Sequence, residues 1–163
     1  MEVKNLNISY KVYQSINELD EVSQNLLAHA RKSMERAYAR YSEFYVGAAL
    51  LLENGEIIEG NNQENAAYPS SLCAERVAFF YASSRYPDVK IKRVAVVASS
   101  KNYKLMNPIT PCGACRQVMS EYEVKQEEAI PVVMNADCDE VYEMESIKHF
   151  LPLLFSAESL RGK

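Results

Sequence analysis

Apolar residues early in the chain return at steps of three and four: Leu19, Val22, Leu26, Leu27, Ala30 and Met34. That period marks a helix with one buried face, and Asn17 can cap it, so a helix is predicted over about 18–40. Residues 1–14 alternate weakly through Ile8, Tyr10 and Val12, as a short strand or an ordered arm would. Two runs, 46–53 and 56–60, flank Asn54-Gly55. This dipeptide tolerates positive φ at both central turn positions, so the runs are predicted to pair as an antiparallel hairpin. After a polar loop at 61–71, helical spacing resumes from Cys73 to about Ser84 through Ala74, Val77, Ala78 and Tyr81, with Pro87 beyond its end. The segment 93–99 is apolar and β-branched, the pattern of a strand covered on both faces. A helix over about 113–121 behind Pro111, a strand over 130–135 and a short closing helix near 146–150 complete the pattern. The order β-β-α-β-α-β predicts an α/β fold, a three-layer α-β-α domain with one mixed sheet of about five strands.

Composition narrows the function classes. The chain has 163 residues, 48% hydrophobic and 25% charged, enough for one substantial core. No repeat or linker divides it, so one compact unit is expected. The apolar run at 45–52 is far too short to span a bilayer, and no membrane partner is expected. The net charge is −4 and the 18 basic residues are scattered, which disfavours a nucleic-acid partner. No apolar targeting segment is visible in MEVKNLNISY, so a cytoplasmic location is expected. In that setting four cysteines suggest thiolate chemistry or a metal before disulfides.

Pro111-Cys112-Gly113-Ala114-Cys115 puts two thiols three residues apart at a helix start. By itself the pair fits a structural zinc knuckle or a redox couple as well as part of a catalytic site. Cys73-Ala74-Glu75 adds a third thiol at another predicted helix start, with a carboxylate two positions on that can point at whatever the thiol holds. Cys138 stands between Asp137 and Asp139 without a paired cysteine, like a loop residue; His29 and His149 read as structural. Three thiolates with an open fourth position are the arrangement of a catalytic zinc. Thiolates donate more charge than imidazoles, so some positive field must compensate. Two sources are at hand: the helix amino termini that carry the ligands, and Arg76, whose guanidinium can hydrogen-bond the sulfurs.

Cys73-Ala74-Glu75-Arg76 with Pro111-Cys112-Gly113-Ala114-Cys115-Arg116-Gln117 resembles the zinc-dependent cytidine deaminases, in their small three-cysteine form. Tyr41-Ser42-Glu43-Phe44-Tyr45-Val46-Gly47-Ala48-Ala49 is similar to that family's first-strand motif. Asn62-Gln63-Glu64-Asn65-Ala66-Ala67-Tyr68-Pro69 is similar to its nucleoside loop, and Leu151-Pro152-Leu153-Leu154-Phe155 to its carboxy-terminal segment. The likeness runs over roughly 18–160, which implies that residues 1–16 are an N-terminal extension and 17–163 a single deaminase domain. It implies one Zn2+ per chain on Cys73, Cys112 and Cys115. It further implies that Glu75 moves the proton of the attacking water to N3 of cytosine and then to the departing amine. Phe44 would wall the pyrimidine, and Asn62 and Glu64 would bind the ribose hydroxyls. The Ala74 N–H and the Thr110 carbonyl would hold the base's O2 and its amino nitrogen. The expected activity is hydrolytic deamination of cytidine and 2′-deoxycytidine in pyrimidine salvage; a carboxylate at Glu64 beside the sugar disfavours a 5′-phosphate. The alternative is a sister deaminase of another cytosine nucleoside, such as blasticidin S. The resemblance also implies a homotetramer in which Phe155 covers the base of a neighbouring subunit. For Leu151–Phe155, core packing is the competing reading.

Overall fold

The computed structural model describes residues 1–160; positions 161–163 of the expected 17–163 domain lie outside the described residues. Its sheet contains β1 (Lys11–Tyr13), β2 (Phe44–Leu52), β3 (Ile57–Asn61), β4 (Ile91–Ser100), β5 (Val132–Asn135) and β6 (Val141–Met144). The spatial order is β1-β6-β5-β4-β2-β3. Only β4 and β5 are parallel neighbours; the other pairs are antiparallel.

Strand alternation sorts the core into two layers. Ala49, Ala95, Val97 and Val133 pack with Leu26, Leu27 and Ala30 of α1 (Glu21–Met34). Ala48, Leu50, Val94, Val96, Val132 and Met134 face the other way, onto Ala78 and Phe79 of α2 (Ala74–Arg85) and Met119 of α3 (Gly113–Gln126). This is the expected three-layer α-β-α arrangement with a mixed sheet, of six strands where about five were expected. A last turn, α4 (Ala157–Leu160), follows the carboxy-terminal tail.

Strand direction positions the site. Because β2 runs antiparallel to both β3 and β4, those two strands point the same way. The helices that follow them, α2 and α3, therefore both start at the end of the sheet where β3 and β4 finish, the usual place for an α/β site. Gly60 on β3 lets α2 come this close: a Cβ there would lie 2.5 Å from the Ala74 carbonyl oxygen and 2.7 Å from the Ala78 nitrogen. Gly47 does the same for α1, 1.9 Å from the Ala30 carbonyl oxygen.

Several boundaries differ from the sequence pattern, each for a local reason. The first helix starts at Glu21, because Asp20 accepts from the Ser23 N–H at 2.8 Å; Asn17 lies in a separate 3-10 turn, Ile16–Glu18, capped by Ser15. It stops at Met34, and the chain then pairs with the loop, the Tyr38 N–H donating to the Asn62 carbonyl. The hairpin forms, but Gly55 alone takes the left-handed conformation (φ 86°). Its N–H donates to the Leu52 carbonyl, and the Leu52 N–H to Glu56, a longer loop with the glycine at its bulge. Strand β6 has only four residues, and one is Glu143. That carboxylate is buried because Tyr13 Oη of β1 donates to it at 2.6 Å, so the strand depends on a partner far away in sequence. The closing helix is a single 3-10 turn, Ile147–Phe150.

Candidate active site

Cys73 is the N-cap of α2 and Cys112 the N-cap of α3, both with extended backbone (ψ 154° and 165°), and neither uses its side chain to cap the helix. Their sulfurs are left to face each other at 3.9 Å. Cys115, one turn into α3, is fully buried, and the three sulfurs all lie within 4.8 Å of one another. Cys138 is elsewhere: its Sγ donates to the Glu140 carbonyl and its side chain packs near Phe44. His29 pairs with Glu59 at 2.7 Å.

The surroundings of Cys73 favour its thiolate. Cys73 is lowered to about 6, foremost by hydrogen bonding with Cys115; burial opposes this, while Cys112 and the Arg76 guanidinium reinforce it. Cys115 shifts up, because Cys73 takes its hydrogen bond and because it is buried. Glu75, in the first turn of α2, is 4% exposed, and burial raises its carboxyl above the ordinary range. The charge on Cys73 pushes it the same way.

Arg76 is divided between the cluster and the loop. One terminal nitrogen donates to the Ser71 carbonyl at 2.9 Å, and the buried Nε has no partner among the described residues. An orphaned buried N–H beside an electron-rich sulfur group suits a thiolate–metal centre, where that sulfur would accept it. The donor set is soft, closely spaced and set at two positive helix ends. These features together fit one zinc ion per chain, held by three sulfurs.

The remaining sequence-predicted residues form a rim at the same end. Phe44 opens β2 and packs against Ala98, Leu105 and Ala136. Asn62 holds Phe44 in place: its Oδ1 accepts from the Val46 N–H at 2.8 Å and its Nδ2 donates to the Phe44 carbonyl at 2.9 Å. Each group keeps capacity for a second partner. The Glu64 carboxylate accepts from the Tyr41 N–H at 2.8 Å, from the Ser42 N–H and from the Ser42 hydroxyl. Burial pushes this carboxyl up, but the hydrogen bonds outweigh it and hold it below the usual carboxylate range. A cavity of about 400 Å³ lined by Tyr41, Ser42, Glu64, Tyr68 and Ser71 opens beside it. Ala74 is buried as the first residue of α2, and its N–H has no acceptor within the helix. Thr110 is exposed just before Pro111. Phe155 does not enter this chain's own site; it is 58% exposed, and Leu153 is 89% exposed.

Two sets of contacts were not singled out from sequence. Tyr41 and Ser42 supply the donors that fix Glu64. Arg116 binds the Thr110–Pro111 segment and the Phe150 carbonyl. A signal for Arg116 was present: it follows a zinc-type cysteine directly, as Arg76 follows Glu75.

The family model described as cytidine and deoxycytidylate deaminase zinc-binding region matches residues 20–129. A cytidine deaminase of Sporosarcina psychrophila is 42% identical over 138 residues, spanning 84% of this chain and 93% of its own. One from Halalkalibacterium halodurans is 40% identical over 139 residues, 84% and 96% of the two chains. Among solved structures, the cytidine deaminase of Burkholderia pseudomallei superposes with a TM-score of 0.69 at 37% identity, covering 80% of this chain and 97% of that one.

Proposed function

The chain belongs to the cytidine and deoxycytidylate deaminases, and from that premise we propose that it hydrolyses cytidine and 2′-deoxycytidine to uridine and 2′-deoxyuridine with release of ammonia. The observation that carries this reading is the buried Glu75 carboxyl in the first turn of α2, the helix that Cys73 caps, with the sulfurs of Cys112 and Cys115 converging on Cys73 from the start of α3. Zinc, when held by Cys73, Cys112 and Cys115, supplies Lewis acidity that acidifies water at the site.

The chain's own groups do the rest. Glu75 accepts one proton of the attacking water and passes it to N3 of the pyrimidine, then takes the water's remaining proton from the hydroxyl added at C4 and gives it to the amino nitrogen, which leaves as ammonia. Its desolvated position suits it to carry one proton each way. The Arg76 charge offsets the electron density of the sulfurs. The Ala74 N–H donates to the base's O2, and the Thr110 carbonyl accepts from the amino group. Phe44 walls the ring, and the free capacity of Asn62 and Glu64 is directed to the sugar hydroxyls. A 5′-phosphate would meet the ionised Glu64 carboxylate, which favours a free nucleoside.

The pathway served is pyrimidine nucleoside salvage in the cytoplasm; no described helix is long and apolar enough to cross a membrane. The working unit is a homo-oligomer, a tetramer, in which Phe155 reaches a neighbour's base; its exposure and that of Leu153 support this. Ammonia release from cytidine, 2′-deoxycytidine, cytosine, cytidine monophosphate and blasticidin S tests the assignment. Turnover of the first two alone is expected. Loss of the reading follows if zinc-loaded protein leaves both unchanged, or if blasticidin S is the only substrate.

A further inference from the structure

Arg116 lies one residue beyond the last sulfur ligand and turns its guanidinium away from the cluster, onto the loop that enters α3. Its Nε donates to the Pro111 carbonyl at 2.7 Å, and one terminal nitrogen donates to Thr110 Oγ1 at 3.0 Å. The other terminal nitrogen donates to the Phe150 carbonyl at 3.2 Å, with the guanidinium carbon 5.4 Å from the centre of the Phe150 ring. Next to it, Gln117 Nε2 donates to the Phe155 carbonyl at 2.9 Å. These partners are carbonyls, a hydroxyl and an aromatic face, so what the side chain contributes here is its planar fork, which a lysine cannot reproduce.

We propose that Arg116 is a positioning residue for deamination: it fixes the Thr110–Pro111 backbone, and with it the carbonyl that receives the departing amine, against α3 and the carboxy-terminal tail. This rests on the deaminase reading above. The hydrogen bond from the amino group to that carbonyl strengthens as the nitrogen gains a proton and leaves. A misplaced carbonyl therefore costs more in the transition state than in the bound substrate, and the loss falls on kcat rather than KM.

The test uses zinc-loaded full-length protein and the variants Arg116→Lys, Arg116→Gln, Thr110→Val and Thr110→Val with Arg116→Lys. Expected for both Arg116 variants are wild-type zinc content, a fall in kcat of about 10–100-fold and a change in KM of under about 3-fold. Thr110→Val, at an exposed position, is expected to lower kcat by less, and the double variant to lose no more than Arg116→Lys alone, since both remove one contact. Amide hydrogen exchange should quicken in peptides spanning 105–116 and 150–156 of Arg116→Lys, and in the first of these in Thr110→Val. Wild-type kcat in the zinc-loaded Arg116 variants, a loss confined to KM, or losses that multiply in the double variant would overturn the assignment. If the Arg116 variants lose zinc or fail to fold, Thr110→Val decides: unchanged kcat and unchanged exchange refute the proposal. A zinc-loaded wild type that releases no ammonia overturns the deaminase reading and this assignment with it. An active wild type with unaffected variants overturns this assignment alone.

Discussion

Cys73, Glu75, Cys112 and Cys115 sit on the first turns of two helices packed against the sheet, whereas Phe44, Asn62 and Glu64 sit on a strand end and a loop tied down by polar contacts. The first group is positioned by close backbone packing at Gly60 and by the shared direction of β3 and β4. The second is held by a few hydrogen bonds in partly open surroundings, of which Ser42–Glu64 is one. Chemistry that tolerates little displacement is thus built on rigid elements. On the proposed function, recognition of the sugar would fall to a rim that can be altered with less effect on the reaction.

The sharpest way to separate the two regions is Glu75→Gln. It is expected to keep one zinc per chain and to reduce kcat by roughly 1,000-fold or more, because proton transfer is removed while the sulfurs stay in place. A variant with near-native turnover would break the comparison at its rigid end. Next in size is Gly60→Ala. Its new Cβ would meet backbone atoms of α2 at 2.5 and 2.7 Å, so the amino end of that helix must move. Thermal and urea unfolding should show a loss of about 1–3 kcal/mol, and zinc should leave faster to a chelator. Wild-type stability and chelation kinetics would mean that the close approach does not position the ligand.

At the rim the effects shrink. Ser42→Ala removes one of the donors to Glu64 and should raise KM for cytidine by about 3–10-fold with kcat and zinc content unchanged, as fits a charged hydrogen bond in a partly exposed place. The sign of its pH dependence follows from the direction of the Glu64 shift. A carboxyl held below its usual range keeps its contacts at neutral pH and loses them only as pH falls through that depressed value. The wild-type KM should therefore rise only at distinctly acid pH, and in Ser42→Ala the rise should begin at higher pH. A rise at the same pH in both proteins would show that Glu64 is not what titrates. The smallest expected effect is that of Cys138→Ser, with zinc content and turnover within about 2-fold of wild type, since its sulfur lies outside the cluster.

Legibility in the sequence follows the same division. The helices and strands around the sulfurs could be read because their signals are local: helical spacing at Ala74, Val77 and Ala78, the unbroken apolar run of β4, and the Cys-x-x-Cys spacing. What could not be read depends on distant partners. β6 is four residues long and contains Glu143, whose carboxylate is met by Tyr13 and Lys11 from the other end of the chain. The first helix begins later than its period suggests because Asp20 caps it, while Ser15 caps a separate 3-10 turn just before. Resemblance makes Asn62 a sugar ligand, whereas its structural part in fixing Phe44 depends on β2 lying beside it.

The central claim is a zinc ion on three sulfurs with one position left for the reaction. X-ray absorption at the zinc edge of the purified, fully loaded protein measures this directly. The account predicts three sulfur neighbours at about 2.3 Å and one oxygen or nitrogen at about 2.0–2.2 Å. Four sulfur neighbours, which would require Cys138 as a ligand, or fewer than three, would contradict it.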